Sequence, residues 1–221
     1  MSQVSARPKA LQLLQRYQGL AGLALLFVAA YFLSPYFFTE RNWDNILNQL
    51  AIPGVLAIGM TFIILTAGID LSVGSHLALL NVIVATWLKH GANAWFTCLY
   101  ALAWGTLIGA TLGWLVGRLK MQPFIVTLAA MVTLRGIAFV YSNRSMISGF
   151  GADLAVLQKP VLALPLSGWV LIVLTIITGL ILGRTVFGRR VYAIGGNEEA
   201  ARYSGVPVQT TRIAAYAIRV V

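Results

Sequence analysis

The sequence predicts an all-α integral membrane protein with six transmembrane helices, the start of a seventh and a cytoplasmic N-terminus. Three observations predict this class. The chain of 221 residues is 59% hydrophobic and only 10% charged, with a mean hydropathy of +0.82. A soluble domain of this length could not bury so much apolar surface. The apolar residues also form runs long enough to cross a bilayer, and the basic residues collect in the gaps between those runs.

Each of six apolar runs is long enough, or nearly so, to cross a hydrocarbon core, which takes about 20 helical residues. The first run continues to Pro35 without a small-residue cleavage site, so it predicts an uncleaved helix and not a secretory signal. The short segment Thr39–Ile46, which contains Trp43, is typical of an interfacial piece lying before the second helix. The six predicted spans are residues 18–36, 47–66, 71–88, 95–116, 124–141 and 167–183.

The basic residues predict the orientation, because cytoplasmic loops carry an excess of Lys and Arg. With the N-terminus inside, ten basic residues fall on the cytoplasmic side and four on the outer side. The net charge of +10 therefore reflects topology and does not indicate a nucleic-acid-binding face. The inner set is Arg7, Lys9, Arg16, Arg118, Lys120, Arg184, Arg189, Arg190, Arg202 and Arg212, and the outer set is Arg41, Lys89, Arg144 and Lys159.

The run Gly59–Ser75 carries an acid between two apolar segments, which costs about 2.5–3.5 kcal/mol at the centre of a membrane helix. Glycines and hydroxyls on both sides let the backbone break its helix there. One interpretation is a discontinuous helix that lines a substrate path. The other is that the acid caps the third helix or forms a structural pair. The residues concerned are Gly68, Asp70, Ser72 and Gly74.

A second motif begins at Gln122, directly before Pro123 and Phe124. Proline suits the first turn of a helix, where its missing N–H costs nothing. Arg135 follows within the same apolar run, and a membrane arginine needs either a partner or a route to the interface. The sequence leaves both alternatives open. If Arg135 has a partner, Asp70 is one candidate.

The third motif lies in a basic loop, Gly188 to Val206. Asn197 is placed to cap a short helix over roughly residues 198–204, with two glutamates in its first turn and Gly205 at its end. Such a capped helix is suited to docking a soluble partner. An ordinary solvated loop helix is the alternative.

The motifs of common enzymes are missing from this sequence. It has no Walker A sequence, no H-E-x-x-H and no Cys/His cluster, and His76 and His90 are too isolated for a metal site. We therefore predict no catalytic residues, no metal and no cofactor. The single Cys98 allows no internal disulfide.

A last apolar run extends from Ile213 to Val221, and nine helical residues span only about 13–14 Å. Arg219 lies within it, where a spanning helix would carry an apolar residue. We expect that the chain is the N-terminal part of a longer protein or a truncated product. A short helix docked against protein or at the interface is the alternative.

The three motifs together resemble the ribose-type permeases of ABC sugar importers. The resemblance rests on I-G-M-T-F-I-I-L-T-A-G-I-D-L-S-V-G-S, on Q-P-F-I-V-T-L with the later R-G at 135–136, and on G-R-R-V-Y-A-I-G-G-N-E-E-A-A-R-Y-S-G-V. It extends to about Ala217. Within the third motif, Glu199-Ala200-Ala201 followed by Gly205 is similar to the E-A-A-x-x-x-G element through which importer permeases contact their ATPase.

The resemblance implies a multi-pass subunit of the bacterial inner membrane, part of a permease fold of about ten spanning helices of about 20 residues each. It implies three protein partners: an ABC ATPase that hydrolyses the ATP, a periplasmic or extracellular sugar-binding protein, and a second permease subunit. The chain would be one permease domain, 1–221, incomplete, with a cytoplasmic coupling loop at 184–212. Its coupling residues would be Asn197, Glu198, Glu199, Ala200, Ala201 and Gly205, and its translocation signature Gly68, Asp70, Ser72, Gly74, Gln122, Pro123, Phe124 and Arg135.

A monosaccharide such as ribose, xylose, arabinose or galactose is the implied substrate. Three alternatives remain at this point. The chain could serve another small solute of the superfamily, such as a signal furanone, a nucleoside or an amino acid. It could instead be an ATP-independent secondary transporter, or a remnant that does not transport.

Overall fold

The computed structural model describes residues 9–149, 160–161 and 164–219. Four residues of the predictions above lie outside these ranges: Arg7 and Lys159 of the charge count, and Val220 and Val221 of the last apolar run. The chain divides into two units, residues 1–47 and 48–221.

The N-terminal unit holds α1 (Lys9–Leu33) and the first residues of α2 (Glu40–Leu65). The segment predicted to lie at the interface before the second helix instead forms the first turns of α2. The cause is local, because Thr39 caps this helix by accepting a hydrogen bond from the amide of Asn42 at 3.4 Å. Aromatic rings pack beside this cap, where Phe27 stacks on Trp43 with 6.2 Å between ring centroids.

The second unit continues α2 and adds seven helices within the described residues. These are α3 (Val73–Lys89), α4 (Ala94–Gly117), α5 (Pro123–Tyr141), α6 (Leu166–Arg184), α7 (Val186–Gly196), α8 (Glu198–Tyr203) and α9 (Val208–Ile218). A short antiparallel pair, β1 (Pro160–Val161) and β2 (Leu164–Pro165), precedes α6, so the all-α prediction missed one small strand pair. In this pair Val161 lies opposite Leu164 and Pro160 opposite Pro165.

Ten of the twelve ends of α1–α6 lie within three residues of the predicted spans. The two exceptions are the starts of α1 and α2, which come nine and seven residues earlier than predicted. Four of the described helices, α2, α4, α5 and α6, are long and apolar enough to cross a membrane. Two further apolar stretches are shorter, α3 and Gln18–Leu33 within α1. The described chain is thus an all-α membrane protein with a minor strand pair.

The core of the second unit lies where α9 packs along α4, and α3 packs against α5 beside it. Ile63 of α2, Val126 of α5 and Tyr216 of α9 are buried together against the apolar side of α4. The last apolar run is therefore a helix packed against the protein, which begins at Val208, five residues before the predicted start. This arrangement carries the end of α9 to the junction between α2 and α3.

Candidate functional site at the α2–α3 helix break and helix α8

The chain leaves its helical course between α2 and α3, over residues 66–72, which we call the helix break. The end of α2 closes in a Schellman motif. The amide of Gly68 donates to the carbonyl of Ile63 and the amide of Ala67 to that of Ile64, each at 2.9 Å. These bonds satisfy carbonyls at the helix end that would otherwise lack partners.

The left-handed residue of this motif is Ala67, with φ at 55°. No glycine takes the left-handed position of the break, since neither Gly68 nor Gly74 has a positive φ. A hydroxyl contributes as expected, since Thr66 donates to the carbonyl of Ile63 at 2.8 Å. A left-handed conformation costs a residue with a Cβ about 1–2 kcal/mol, so the surrounding contacts must hold the break in place.

Asp70 is the centre of those contacts. Its Oδ1 accepts hydrogen bonds from the amide and from the hydroxyl of Ser72, both at 2.7 Å. Its Oδ2 forms an ion pair with Nη1 of Arg219, and both side chains are fully buried. The N-cap position of α3 is Ser72, and Asp70 accepts the amide of that residue, as the capping interpretation expects. The ion pair with Arg219 is what the structural-pair interpretation expects.

Arg219 makes further contacts at the helix break. Its guanidinium donates to Oγ of Ser72 at 3.2 and 3.3 Å and lies 3.2 Å from Nδ1 of His76, on the first turn of α3. One turn earlier on α9, the hydroxyl of Tyr216 donates to the carbonyl of Ile69 at 3.0 Å. The end of α9 is thus attached to both halves of the helix break.

Arg135 is not the partner of Asp70. It is exposed on α5 and makes no hydrogen bond or ion pair with any residue that the structure describes. Two other predicted signature residues, Phe124 and Gly74, are also exposed. Gly74 has nothing near its Cα that a side chain would meet.

The second motif starts α5 as predicted, with Pro123 as the first helical residue after Gln122. These two residues line a cavity of about 360 Å³ together with Glu198 and Arg202 of α8. Ala67 of the helix break borders the same cavity. The three motifs of the sequence therefore meet around one cavity, although they are far apart along the chain.

Helix α8 forms as the sequence predicts. The side chain of Asn197 accepts a hydrogen bond from the amide of Ala200 at 2.9 Å, which makes it a side-chain N-cap. Glu198 then forms two ion pairs, both at 2.7 Å. Its Oε1 binds Arg202 on the same helix, and its Oε2 binds Arg212 on α9.

The end of α8 explains the need for glycine at Gly205, which has φ at 80°. The amide of Val206 donates to the carbonyl of Ala201 and that of Gly205 to the carbonyl of Arg202, each at 3.0 Å. This is a second Schellman motif. Ala201 points inward, where it packs with Ile194 of α7.

The opposite face of α8 is open. Glu199, Ala200 and Tyr203 are exposed, and Tyr203 has 88% of its surface accessible. The first two belong to the predicted coupling residues. The structure thus divides that set into an exposed face and residues that attach the helix to the protein.

Sequence reasoning missed the groove on which α9 lies. Gly109, Gly113 and Gly117 recur at intervals of four residues on α4 and face α9. A methyl group on Gly113 would lie 2.8 Å from Cα of Ile213. The signal was present in the spacing, since glycines four residues apart let two membrane helices approach closely.

The hydropathy and the packed helices define a multi-pass, all-α membrane protein. Residues 42–221 match the family described as the branched-chain amino acid transport system / permease component, and the chain belongs to that family. No solved structure was found to match it.

Similar proteins include sugar permeases. The chain is 40% identical over 211 residues to the ribose import permease protein RbsC of Escherichia coli strain K12, covering 93% of this chain and 65% of the relative. It is 38% identical over 208 residues to the protein of that name from Bacillus subtilis strain 168, with the same coverage. It is 35% identical over 247 residues to the xylose transport system permease protein XylH of E. coli K12, covering 82% and 62%.

These relatives confirm the resemblance to ribose-type permeases. The chain spans 65% of the length of the ribose permeases that it matches. It is a multi-pass protein of the bacterial cell membrane, as its family and its apolar helices indicate.

Proposed function

We propose that the chain acts as the transmembrane permease subunit of an ATP-driven ABC importer for a monosaccharide. The observation that carries this proposal is 38–40% identity to ribose import permeases over 93% of the chain. Selectivity would rest with a separate binding protein that delivers the sugar, and ATP hydrolysis with a separate ATPase subunit. A second permease subunit would complete the translocation path.

The topology belongs to the same proposal. Six helices would span the membrane, α1 to α6, with the N-terminus in the cytoplasm. The support is the excess of basic residues in one set of segments, ten against four. Residues 184–212, which include α7 and α8, would then lie on the cytoplasmic side, and the helix break would lie toward that side as well.

Helix α8 would dock the ATPase. Its exposed face carries Glu199 and Tyr203, and its inner face is held by Ala201 and by the ion pairs of Glu198. A short helix fixed on one side and open on the other presents a rigid surface to a partner. The helix break would form part of the moving translocation region, which is the role that the discontinuous-helix interpretation gives Asp70.

We expect ATP-dependent uptake of a pentose when the chain is reconstituted into proteoliposomes with its cognate ATPase and binding protein. Radiolabelled ribose and xylose should accumulate with ATP and should not accumulate with a non-hydrolysable analogue. Uptake that follows an ion gradient and ignores ATP would contradict the importer mechanism. ATP-driven uptake of an amino acid or a nucleoside, with no pentose uptake, would contradict the proposed substrate class.

Changes on the open face of α8 and at the glycine that ends it should weaken ATPase binding without disturbing membrane insertion. We expect Glu199→Ala combined with Gly205→Ala to lower co-purification of the cognate ATPase by about tenfold, equivalent to about 1.4 kcal/mol. The exposed carboxylate is lost, and alanine is strained at the φ of 80° found at Gly205. Arg144→Gln, which removes an exposed charge outside α8, is the control. Wild-type recovery of the ATPase with the double variant would contradict the docking role.

A further inference from the structure

We propose that α9 is a rigid connector that transmits displacement of α8 to the helix break. Its two attachment points are the Glu198–Arg212 ion pair and the Asp70–Arg219 ion pair. The inference rests on the proposed function, because it takes α8 to be the helix that docks the ATPase. In this proposal Arg212, Arg219 and Asp70 position the helix break, and none of them needs to touch the ATPase or the substrate.

The first attachment joins α8 to α9. Glu198 uses one carboxylate oxygen to bind Arg202 on its own helix and the other to bind Arg212 on α9. The side chain of Arg212 is only 19% exposed, so water screens this pair weakly. Val208, at the start of α9, packs against Ala201 of α8. A displacement of α8 therefore acts on α9 through one ion pair and one apolar contact.

The connector itself is a helix of 11 residues, about 16 Å long. It lies in the groove that the glycines of α4 leave open, with Gly113 facing Ile213 and Gly117 facing Gln209. Arg118 also donates to the side chain of Gln209 at 3.2 Å. Such a groove holds α9 close to α4 along its length.

The second attachment joins α9 to the helix break. Arg219 contacts Asp70, Ser72 and His76, and Tyr216 binds the carbonyl of Ile69. Because both charges of the Asp70–Arg219 pair are buried, α9 cannot leave this position without exposing two uncompensated charges to an apolar interior. Displacement of α9 must therefore carry the helix break with it.

Hydrogen–deuterium exchange of residues 66–72 tests the inference in the chain with and without its cognate ATPase. In the wild type, ATPase binding should change the exchange rate of this segment by about fivefold or more, the lower end of typical coupling between sites. In the variant Asp70→Asn/Arg219→Gln, which removes both charges and leaves neither one unpaired, the ATPase should still bind and the change should be lost.

Two further variants keep the test decisive. Arg212→Gln removes the ion pair of the first attachment at a partly exposed position and should lower the exchange response at least twofold while ATPase binding persists. Arg144→Gln removes an exposed charge elsewhere and should retain the full response. A response that persists in both attachment variants would overturn the connector.

The wild type separates this inference from the proposed function. If the ATPase binds and residues 66–72 show no change in exchange, the connector is wrong and the docking role stands. If the ATPase does not bind the wild-type chain, the docking role fails and the connector fails with it.

Discussion

Removing one charge of the Asp70–Arg219 pair should lower the free energy of unfolding by about 3–5 kcal/mol, because the other charge stays buried without compensation. Arg219→Gln leaves the carboxylate of Asp70 with only the two hydrogen bonds from Ser72. Asp70→Asn leaves a guanidinium that keeps its hydrogen bonds to Ser72, its contact with His76 and its position over the ring of Tyr216, but no anionic partner. Thermal unfolding of the purified protein in detergent, followed by circular dichroism, would measure both losses.

The double variant decides whether the two residues act as a pair. Asp70→Asn/Arg219→Gln should lose clearly less stability than the sum of the single changes, because no unpaired charge remains. Arg144→Gln is the matched control, since an exposed surface charge changes stability by only about 0.5 kcal/mol or less. Single variants that unfold at the wild-type temperature, or losses that simply add, would show that the buried pair does not stabilise the protein.

Uptake by the Asp70→Asn variant adds a second criterion to the same experiment. Unchanged transport with a lowered unfolding temperature would assign Asp70 a purely structural role. Impaired transport at a temperature where the variant stays folded would assign it to the translocation region. The unfolding temperature and the uptake rate report different properties, because the charge of Asp70 stabilises the fold whether or not the helix break moves during transport.

Local chemistry accounts for what the sequence could predict. The helices follow from apolar runs of membrane length, and α8 follows from a side-chain cap at Asn197 and a left-handed glycine at Gly205, both determined within a few residues. The start of α5 at Pro123 is of the same kind. Each of these signals acts between neighbours in the chain, so no tertiary information is needed to find them.

Packing decides what the sequence could not predict. The partner of Asp70 lies on α9, and an acid in an apolar sequence shows that a partner is needed without showing which basic residue it is. Arg135 and Arg219 were equally available by composition, and only the path of α9 along α4 distinguishes them. The left-handed conformation of Ala67 was likewise not predictable from the sequence. Glycine is preferred at such a position, and the contacts of the helix break override that preference.

The glycine groove of α4 should not tolerate an added methyl group without loss of stability. Gly113→Ala should lower the free energy of unfolding by about 1–3 kcal/mol, the usual cost of overpacking. The added methyl group would lie 2.8 Å from Cα of Ile213 and 2.9 Å from Cβ of Tyr216, so the backbone of α9 would have to shift. Because Tyr216 binds the helix break, the same change should also raise hydrogen exchange over residues 66–72.

Gly179→Ala in α6 is the control that makes this prediction specific. Position 179 has nothing within 4 Å of an added methyl group, so the substitution should stabilise its helix by about 0.5–1 kcal/mol. The two glycine-to-alanine changes are therefore expected to have opposite signs in the same unfolding experiment. If both variants are stabilised, α9 does not pack against the glycines of α4. The close contact of α4 with α9, and not the general preference of helices for alanine, determines the sign at Gly113.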